Sequence, residues 1–226
     1  MNSKLMSEFL GTSFLLMIVV GSGIMGENLS GGNTAMALLA NSVATGAGLY
    51  GLILSFGSVS GAHFNPVVSL IEYFGGRLSG NELFEFMACQ IAGAILGVLL
   101  THAMFGVEIL QLSAKDRALG PLYLSEFIAT FGLTTVILMT NRNRSSSTPG
   151  AVSLYIVAAY WFTSSTSFAN PAVTIARTLT NTFSGIEWIG APGFMISQVT
   201  GAFVAFLIFK KSFVTALDPH TNQPPR

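Results

Sequence analysis

Long uncharged stretches, more than any other feature, restrict this 226-residue chain to folds that cross a lipid bilayer. They cover residues 9–26, 28–71, 86–107, 127–141, 145–176 and 188–209. A membrane-spanning helix needs about 20 mostly apolar residues. Three of these stretches fit one helix each, and residues 119–140 fit a fourth, provided that Glu126 is accommodated inside a bundle. The other two are too long for one span and have room for a span plus a shorter piece. The sequence therefore predicts an all-α membrane protein with six transmembrane helices and two additional short apolar segments.

The composition excludes several classes of protein. Only 9% of the residues are charged, whereas soluble domains carry about 25%, so an ordinary cytosolic enzyme and a disordered protein are excluded. The formal net charge is zero, and without a basic field the chain is not a nucleic-acid binder. Its single cysteine, Cys89, excludes an internal disulfide framework and a thiolate metal cage.

The basic residues predict an orientation in the membrane, because cytoplasmic loops are enriched in lysine and arginine. With both termini in the cytoplasm, the cytoplasmic side carries Lys4, Arg77, Arg142, Arg144, Lys210, Lys211 and Arg226. The opposite side then carries only Lys115, Arg117 and Arg177. Residues 212–226 contain three prolines and no apolar periodicity, which predicts a flexible cytoplasmic tail.

The two halves of the chain repeat each other. Residues 7–12, 61–68 and 89–94 match residues 125–130, 166–173 and 197–202 in the same order. We therefore divide the chain into a first repeat, residues 1–112, and a second repeat, residues 113–211. Three spans per repeat is an odd number, so the second repeat must be inverted in the membrane. Inverted repeats are typical of membrane transport proteins and place the functional site at the repeat interface, near the bilayer midplane.

An Asn-Pro pair interrupts each repeat, at Asn65-Pro66 and at Asn170-Pro171. Asparagine is a strong helix N-cap, and proline is favoured at the first helical position. Each pair therefore predicts a helix that begins inside the membrane, with the positive end of its dipole towards the centre. The cap occupies the asparagine oxygen, so its NH2 group is free to point into a lumen.

These motifs resemble those of the aquaporin, or major intrinsic protein, family over nearly the whole chain. The resemblance rests on residues 60–67, on residues 170–172 and on the glutamates near the start of spans one and four, Glu8 and Glu126. The first motif carries Val67 where the family usually has alanine, whereas the second has Ala172. The resemblance implies six tilted helices and two membrane-inserted half-helices around one pore in each subunit of a homotetramer. It implies a channel in the bacterial plasma membrane, with lipid and small neutral solutes as its partners and without a cofactor or an enzymatic activity.

The resemblance also implies roles for individual residues. Asn65 and Asn170 would donate hydrogen bonds to the permeating solute, and Glu8 and Glu126 would hold backbone amides of the half-helix loops. For Glu8 a second reading stays open, in which the side chain reaches water at the end of its span. His63 would be a hydrogen-bonding residue of the pore-lining loop.

The position after the second motif departs from the family pattern. Water-selective members and the usual glycerol channels have arginine there, and this chain has Val173. Counting from the motifs puts the other positions of the outer constriction at Thr45, Ala158 and Ser167, with Gly46 as an alternative to Thr45. The sequence therefore predicts a wide selectivity filter without arginine. Arg177, four residues further on, is either an outer-vestibule residue or a membrane-interface residue whose charge reaches water.

Residues 160–173 and the missing arginine resemble a bacterial subgroup, the aquaglyceroporins found with arsenic-resistance genes (AqpS-type). That resemblance implies conduction of arsenite, methylated arsenicals, glycerol-type solutes and water. The alternative is an inverted-repeat secondary transporter with Glu8, Glu126 and His63 as its coupling site. An intramembrane enzyme is disfavoured because the three histidines are widely separated and have no metal-binding spacing.

Overall fold

The computed structural model describes residues 2–143 and 145–215. The described chain forms eight α-helices: α1 (Ser3–Leu29), α2 (Thr34–Ser60), α3 (Pro66–Phe74), α4 (Gly80–Phe105), α5 (Gly120–Asn143), α6 (Thr148–Phe162), α7 (Pro171–Arg177) and α8 (Ala191–Thr215). The predicted all-α architecture, with two short helices between longer ones, is confirmed. Among the basic residues and the tail used to predict orientation, Arg144 and residues 216–226 lie outside the described residues.

Five of the helices, α1, α2, α4, α5 and α8, are long and apolar enough to cross a membrane. The fifth predicted span, α6, has 15 residues, fewer than the roughly 20 of a typical span. Its limits have local causes. Pro149 lies in its first turn, where proline is tolerated, and a short 3-10 turn precedes it at Ser145–Ser147. At the other end, Thr163 turns to extended backbone and begins the loop to α7.

Helix packing follows the internal repeat. In the first half α1 packs against α2 and α4, and in the second half α5 packs against α6 and α8. Contacts between α2 and α6 join the halves. Gly93 and Gly201, which are matched positions of the repeat, let α4 and α8 approach α1 and α5 closely, because a Cβ there would collide with the carbonyl oxygens of Phe9 and Phe127.

The short helices lie between the two halves. Both α3 and α7 pack against α4 and α8, so each of them contacts both repeats. The chain reverses direction at each connection of the long helices. As a result, one side of the bundle carries the start of α1 and the end of α8, and we call it the N-terminal side. The other, distal side carries the connections between α1 and α2, α4 and α5, and α7 and α8.

Candidate functional site

The buried carboxylate of Glu126 organises the loop that precedes α7. Its Oε1 accepts hydrogen bonds from Ser165 Oγ at 2.6 Å and from the backbone N of Phe168 at 2.8 Å. Its Oε2 accepts from the backbone N of Ala169 at 2.8 Å and from Gln198 Nε2 at 2.6 Å. A buried carboxylate is costly unless it is fully hydrogen-bonded, and these four donors meet that requirement.

Glu8 does the same for the loop that precedes α3. Oε1 accepts from Ser60 Oγ at 2.6 Å and from His63 N at 3.0 Å. Oε2 accepts from Phe64 N at 2.7 Å and from Gln90 Nε2 at 2.8 Å. Both glutamates are fully buried, so the reading in which Glu8 reaches water is wrong. The sequence interpretation missed the two glutamines, although their matched places in the repeat were a usable signal.

The two loops share an unusual backbone. Ala62 and Phe64 have φ angles of 51° and 49°, and the matched residues Ser167 and Ala169 have 51° and 47°. Left-handed backbone in residues other than glycine persists only where surrounding contacts enforce it. The carboxylate bonds to the loop amides provide that enforcement, which explains why each loop needs a buried acceptor.

The two asparagines connect the halves at the centre of the bundle. Asn65 Oδ1 accepts from Val67 N at 3.1 Å, and Asn170 Oδ1 accepts from Ala172 N at 2.9 Å, so both cap their helices as the motif predicts. Each Nδ2 also donates across the interface, from Asn65 to the Ala169 carbonyl and from Asn170 to the Phe64 carbonyl, both at 2.8 Å. One hydrogen of each predicted free NH2 group is therefore already engaged in a hydrogen bond. An amide nitrogen has two hydrogens, so each asparagine retains one N–H for the cavity that it lines.

A cavity of about 590 Å³ runs past both asparagines. Pro66, Val67, Pro171 and Ala172 complete the two motifs, and all four are buried. Apolar side chains supply much of the cavity wall: Leu15, Val19, Leu49, Ile53, Leu133, Ile137, Val152 and Ile156. On its N-terminal side the cavity reaches Lys4, His63, Glu72, Arg77 and Phe86, which we call the N-terminal mouth.

Three of the four predicted filter residues line this cavity, namely Thr45, Ser167 and Val173. The alternative Gly46 faces α6 instead, where an added Cβ would meet Val157. Ser167 Oγ is buried and has no hydrogen-bond partner within the described chain. These three positions present hydroxyl and aliphatic groups to the distal part of the cavity.

The prediction that Ala158 is the fourth filter residue is wrong. It is exposed on the outside of the bundle, whereas Val152, Ile156 and Tyr160 line the cavity at a spacing of four residues. Because a helix turns about 100° per residue, Ala158 faces away from that row. Tyr160 occupies the wall instead, and its hydroxyl lies 3.2 Å from Thr45 Oγ1. The four-residue spacing of Val152, Ile156 and Tyr160 is the sequence signal for the face of α6 that lines the cavity. Counting back from Asn170 does not reveal that face.

Arg177 is buried, with 3% of its surface exposed, and it lines the same cavity as Val173. Its reading as a membrane-interface residue is therefore wrong, and the distal part of the cavity does contain an arginine.

A second cavity of about 360 Å³ adjoins Arg177 and is also lined by Lys115, Arg117 and Phe183. We call this the distal mouth. Burial, and then the charges of Arg117 and Arg177, lower the pKa of Lys115 in the connection between α4 and α5.

His63 lies at the N-terminal mouth. Its Nδ1 is 3.0 Å from Ser69 Oγ, and its ring packs against Phe86 with the ring centroids 5.3 Å apart. Arg77 and Glu72 form an ion pair beside it at 3.2 Å. Within residues 2–143 and 145–215, no group of three or more His, Cys, Asp or Glu side chains is placed to hold a metal ion.

The helical bundle, the two capped half-helices and the cavity between them define a membrane channel built from two repeats. A sequence profile described as "Major intrinsic protein" matches residues 1–166. The chain belongs to the major intrinsic protein family, as the motifs predict, and it is a channel rather than an enzyme.

Comparisons with individual proteins agree with this assignment. The chain is 47% identical to "Aquaglyceroporin AqpS" of Rhizobium meliloti (strain 1021), over 92% of this chain and 88% of that protein. It is 29% identical to "Aquaporin NIP3-1" of Arabidopsis thaliana, over 97% of this chain and 72% of that protein. The X-ray structure of the aquaglyceroporin from Plasmodium falciparum superposes with a TM-score of 0.69, covering 93% of this chain and 98% of that chain at 17% identity. This last likeness concerns the fold alone.

Proposed function

We propose that this protein is a passive channel for small neutral solutes larger than water. It conducts arsenite, methylated arsenicals, glycerol-type solutes and water through a constriction of the aquaglyceroporin type. The observation that carries the proposal is the composition of the distal cavity wall, where Thr45, Ser167 and Val173 present small uncharged side chains. Tyr160 and Arg177 complete that wall. The 47% identity to a protein named aquaglyceroporin supports the same class of solute.

The cavity chemistry fits a small polyol. The wall offers apolar surface for the carbon side of such a solute and donors at Asn65 and Asn170 for its hydroxyls. Neutral trihydroxyarsenic resembles a small polyol in size and hydrogen bonding. Pore diameter, lining donors and electrostatic barriers set selectivity in channels, and aquaporin-type pores are a standard example. A valine after the second motif leaves the diameter larger than an arginine would.

The proposal also includes an orientation, a membrane and an oligomeric state. The N-terminal side faces the cytoplasm, because most of the lysines and arginines belong to that side. The chain functions in a bacterial plasma membrane as a homotetramer with one pore in each subunit. The identity to a bacterial relative supports this membrane.

The contacts of the two buried glutamates favour a channel over a coupled transporter. A coupling ion needs an accessible ligand, but each carboxylate already accepts four hydrogen bonds from its loop. Neither glutamate is part of the cavity wall, which leaves His63 as the one member of the alternative coupling site that lines it.

Stopped-flow measurements on proteoliposomes test the proposal. We expect glycerol, arsenite and a trivalent methylarsenical to cross faster than in protein-free vesicles, and Val173→Trp, which fills the constriction, to slow all three. Uptake should stop at equal concentrations inside and outside, with or without a proton or sodium gradient. Rapid water flux without glycerol or arsenite flux would refute the proposed solute class, and uptake against a gradient would indicate the transporter.

A further inference from the structure

Two arginines from different parts of the chain contact one aromatic ring near the distal mouth. Arg177 ends α7, and its Cζ lies 3.3 Å from the ring centroid of Phe168. Arg117 comes from the connection between α4 and α5, and its Cζ lies 5.2 Å from the same centroid. Both are buried, with 3% and 9% of their surfaces exposed. Guanidinium groups bind aromatic faces through cation–π and stacking interactions, so the ring fixes both groups against the wall.

Neither guanidinium is neutralised by a carboxylate in contact with it. Arg117 donates to the carbonyls of Gly185 and Ser165, each at 3.0 Å, and Arg177 Nε donates to the Ser184 carbonyl. The ion pairs found within the described residues are Lys4–Glu82 and Arg77–Glu72, both on the N-terminal side. Glu126 interacts with both arginines electrostatically, but its single negative charge offsets only one of two positive charges. The described residues that line the distal mouth include Lys115, Arg117 and Arg177 and no acidic side chain, so the lining itself is positively charged.

Arg177 stands where the two cavities adjoin, since it belongs to the wall of both. A solute that enters from the distal side passes this guanidinium before it reaches Val173. Four residues of helix separate the two positions, which is about 6 Å along the axis. Stacking on Phe168 holds the charge at the wall and keeps it from crossing the constriction.

We propose that Arg177, held by Phe168 and assisted by Arg117, is the cation-excluding residue of this channel. The inference rests on the proposed function and goes beyond it, because it divides selectivity between two levels. Val173 leaves the constriction wide enough for large neutral solutes, and Arg177 repels cations one helical turn further out. A fixed charge beside a low-dielectric path acts strongly on ions and weakly on neutral molecules.

The first test compares solutes of similar size on the unaltered protein. In glycerol-conducting proteoliposomes, neutral formamide should cross at least about tenfold faster than methylammonium, relative to protein-free vesicles. Equal protein-dependent rates would overturn the proposal without any variant. Absence of glycerol flux would refute the proposed function, and this inference with it, whereas glycerol flux with free passage of methylammonium would refute the inference alone.

The second test uses variants that separate charge from shape. Arg177→Met keeps length and removes charge, Arg177→Gln also keeps a donor for the Ser184 carbonyl, and Arg177→Lys keeps the charge. We expect the Met and Gln variants to raise the ratios of methylammonium to glycerol flux and of sodium to glycerol flux about tenfold, and the Lys variant to keep both ratios low. Lys210→Met, which removes an exposed charge from the N-terminal side, is the matched control. Cation exclusion retained by a glycerol-conducting Met or Gln variant would overturn the proposal.

Discussion

The loop before Asn65 and the loop before Asn170 have almost the same skeleton and serve different ends of the pore. Each has left-handed residues at matched positions, a buried glutamate as acceptor, and an asparagine that donates to the other loop. Their side chains differ, and the matched pair nearest the two mouths is His63 in the first loop and Phe168 in the second. His63 contacts Ser69 and Phe86 at the N-terminal mouth, and Phe168 contacts two arginines near the distal mouth.

This comparison distinguishes the residues that an inverted repeat duplicates from those that it varies. The backbone of both loops must satisfy the same requirement, a helix start at the midplane, so the residues that hold the backbone are nearly duplicated. The two mouths face different compartments, so the residues directed towards them are free to diverge. Substitutions of the duplicated residues should therefore have similar effects in the two halves, whereas substitutions beside the mouths should not.

The largest effect is expected from removing either buried carboxylate. Glu8→Ala and Glu126→Ala each leave two loop amides, a serine hydroxyl and a glutamine amide without their acceptor. A buried donor left unsatisfied costs about 1–3 kcal/mol, so both variants should lose solute flux and fall sharply in thermal midpoint in detergent. Glutamine at either position should be intermediate because it keeps one acceptor oxygen.

Glu85→Ala is the control for this pair, since Glu85 is exposed on α4. It should leave the thermal midpoint and the flux unchanged. A large loss in one buried-glutamate variant with full tolerance of the other would contradict the equivalence of the two loops.

The next largest effect concerns the asparagines. Asn65→Asp and Asn170→Asp retain the cap but lose the donor to the opposite carbonyl, and they bring a carboxyl group beside that oxygen. We expect glycerol flux to fall by at least about tenfold in both, because a buried carboxyl without a partner is costly. Serine keeps both a cap and a donor and should retain more flux. Folded Asp variants that conduct as well as the Ser variants would exclude a pore-lining role for these residues.

The sequence predicted the symmetric part of the site and much less of the asymmetric part. Repeated motifs indicate Glu8, Glu126 and the Asn-Pro helix starts because backbone requirements leave a local pattern. The wall residue Tyr160 depends on how far α6 continues before its loop, which counting from Asn170 does not reveal. The placement of Arg177 depends on Phe168 and on a connection about sixty residues earlier, at Arg117. Such contacts arise from tertiary packing and have no signature in a single segment.

An arginine introduced beside each motif should separate the two mouths. Val173→Arg adds bulk, donors and charge to the distal constriction, so methylarsenical flux should fall several-fold more than water flux. The filter would still lack a histidine, so full water selectivity is not expected. Val68→Arg is the matched variant at the first motif. Val68 is half-buried and Val173 is buried, so an arginine at 68 has more freedom to extend towards water and should have the smaller effect.

The measurement is the ratio of methylarsenical to water permeability at equal amounts of folded protein. An unchanged ratio in Val173→Arg would remove Val173 from the constriction. Equal falls in the two arginine variants would contradict the proposal that the distal side sets the size limit.

The smallest effect is expected from the hydroxyl contact between Tyr160 and Thr45, which has no counterpart in the repeated motifs. Tyr160→Phe removes one partner of a 3.2 Å contact in the cavity wall, at a cost of about 1 kcal/mol in stability. The distal wall also loses a polar group, so glycerol flux should fall by about twofold while water flux changes less. Adding Thr45→Val should cost less than the sum of the two single changes, since both remove the same contact.

Tyr155→Phe is the control on the same helix, because the Tyr155 hydroxyl donates to the Ala129 carbonyl at 3.0 Å and does not line the cavity. It should lower stability by a similar amount and leave the ratio of glycerol to water flux unaltered. The same change of that ratio in both tyrosine variants would show that it reports helix stability, and Tyr160 would then lose its place in the solute path.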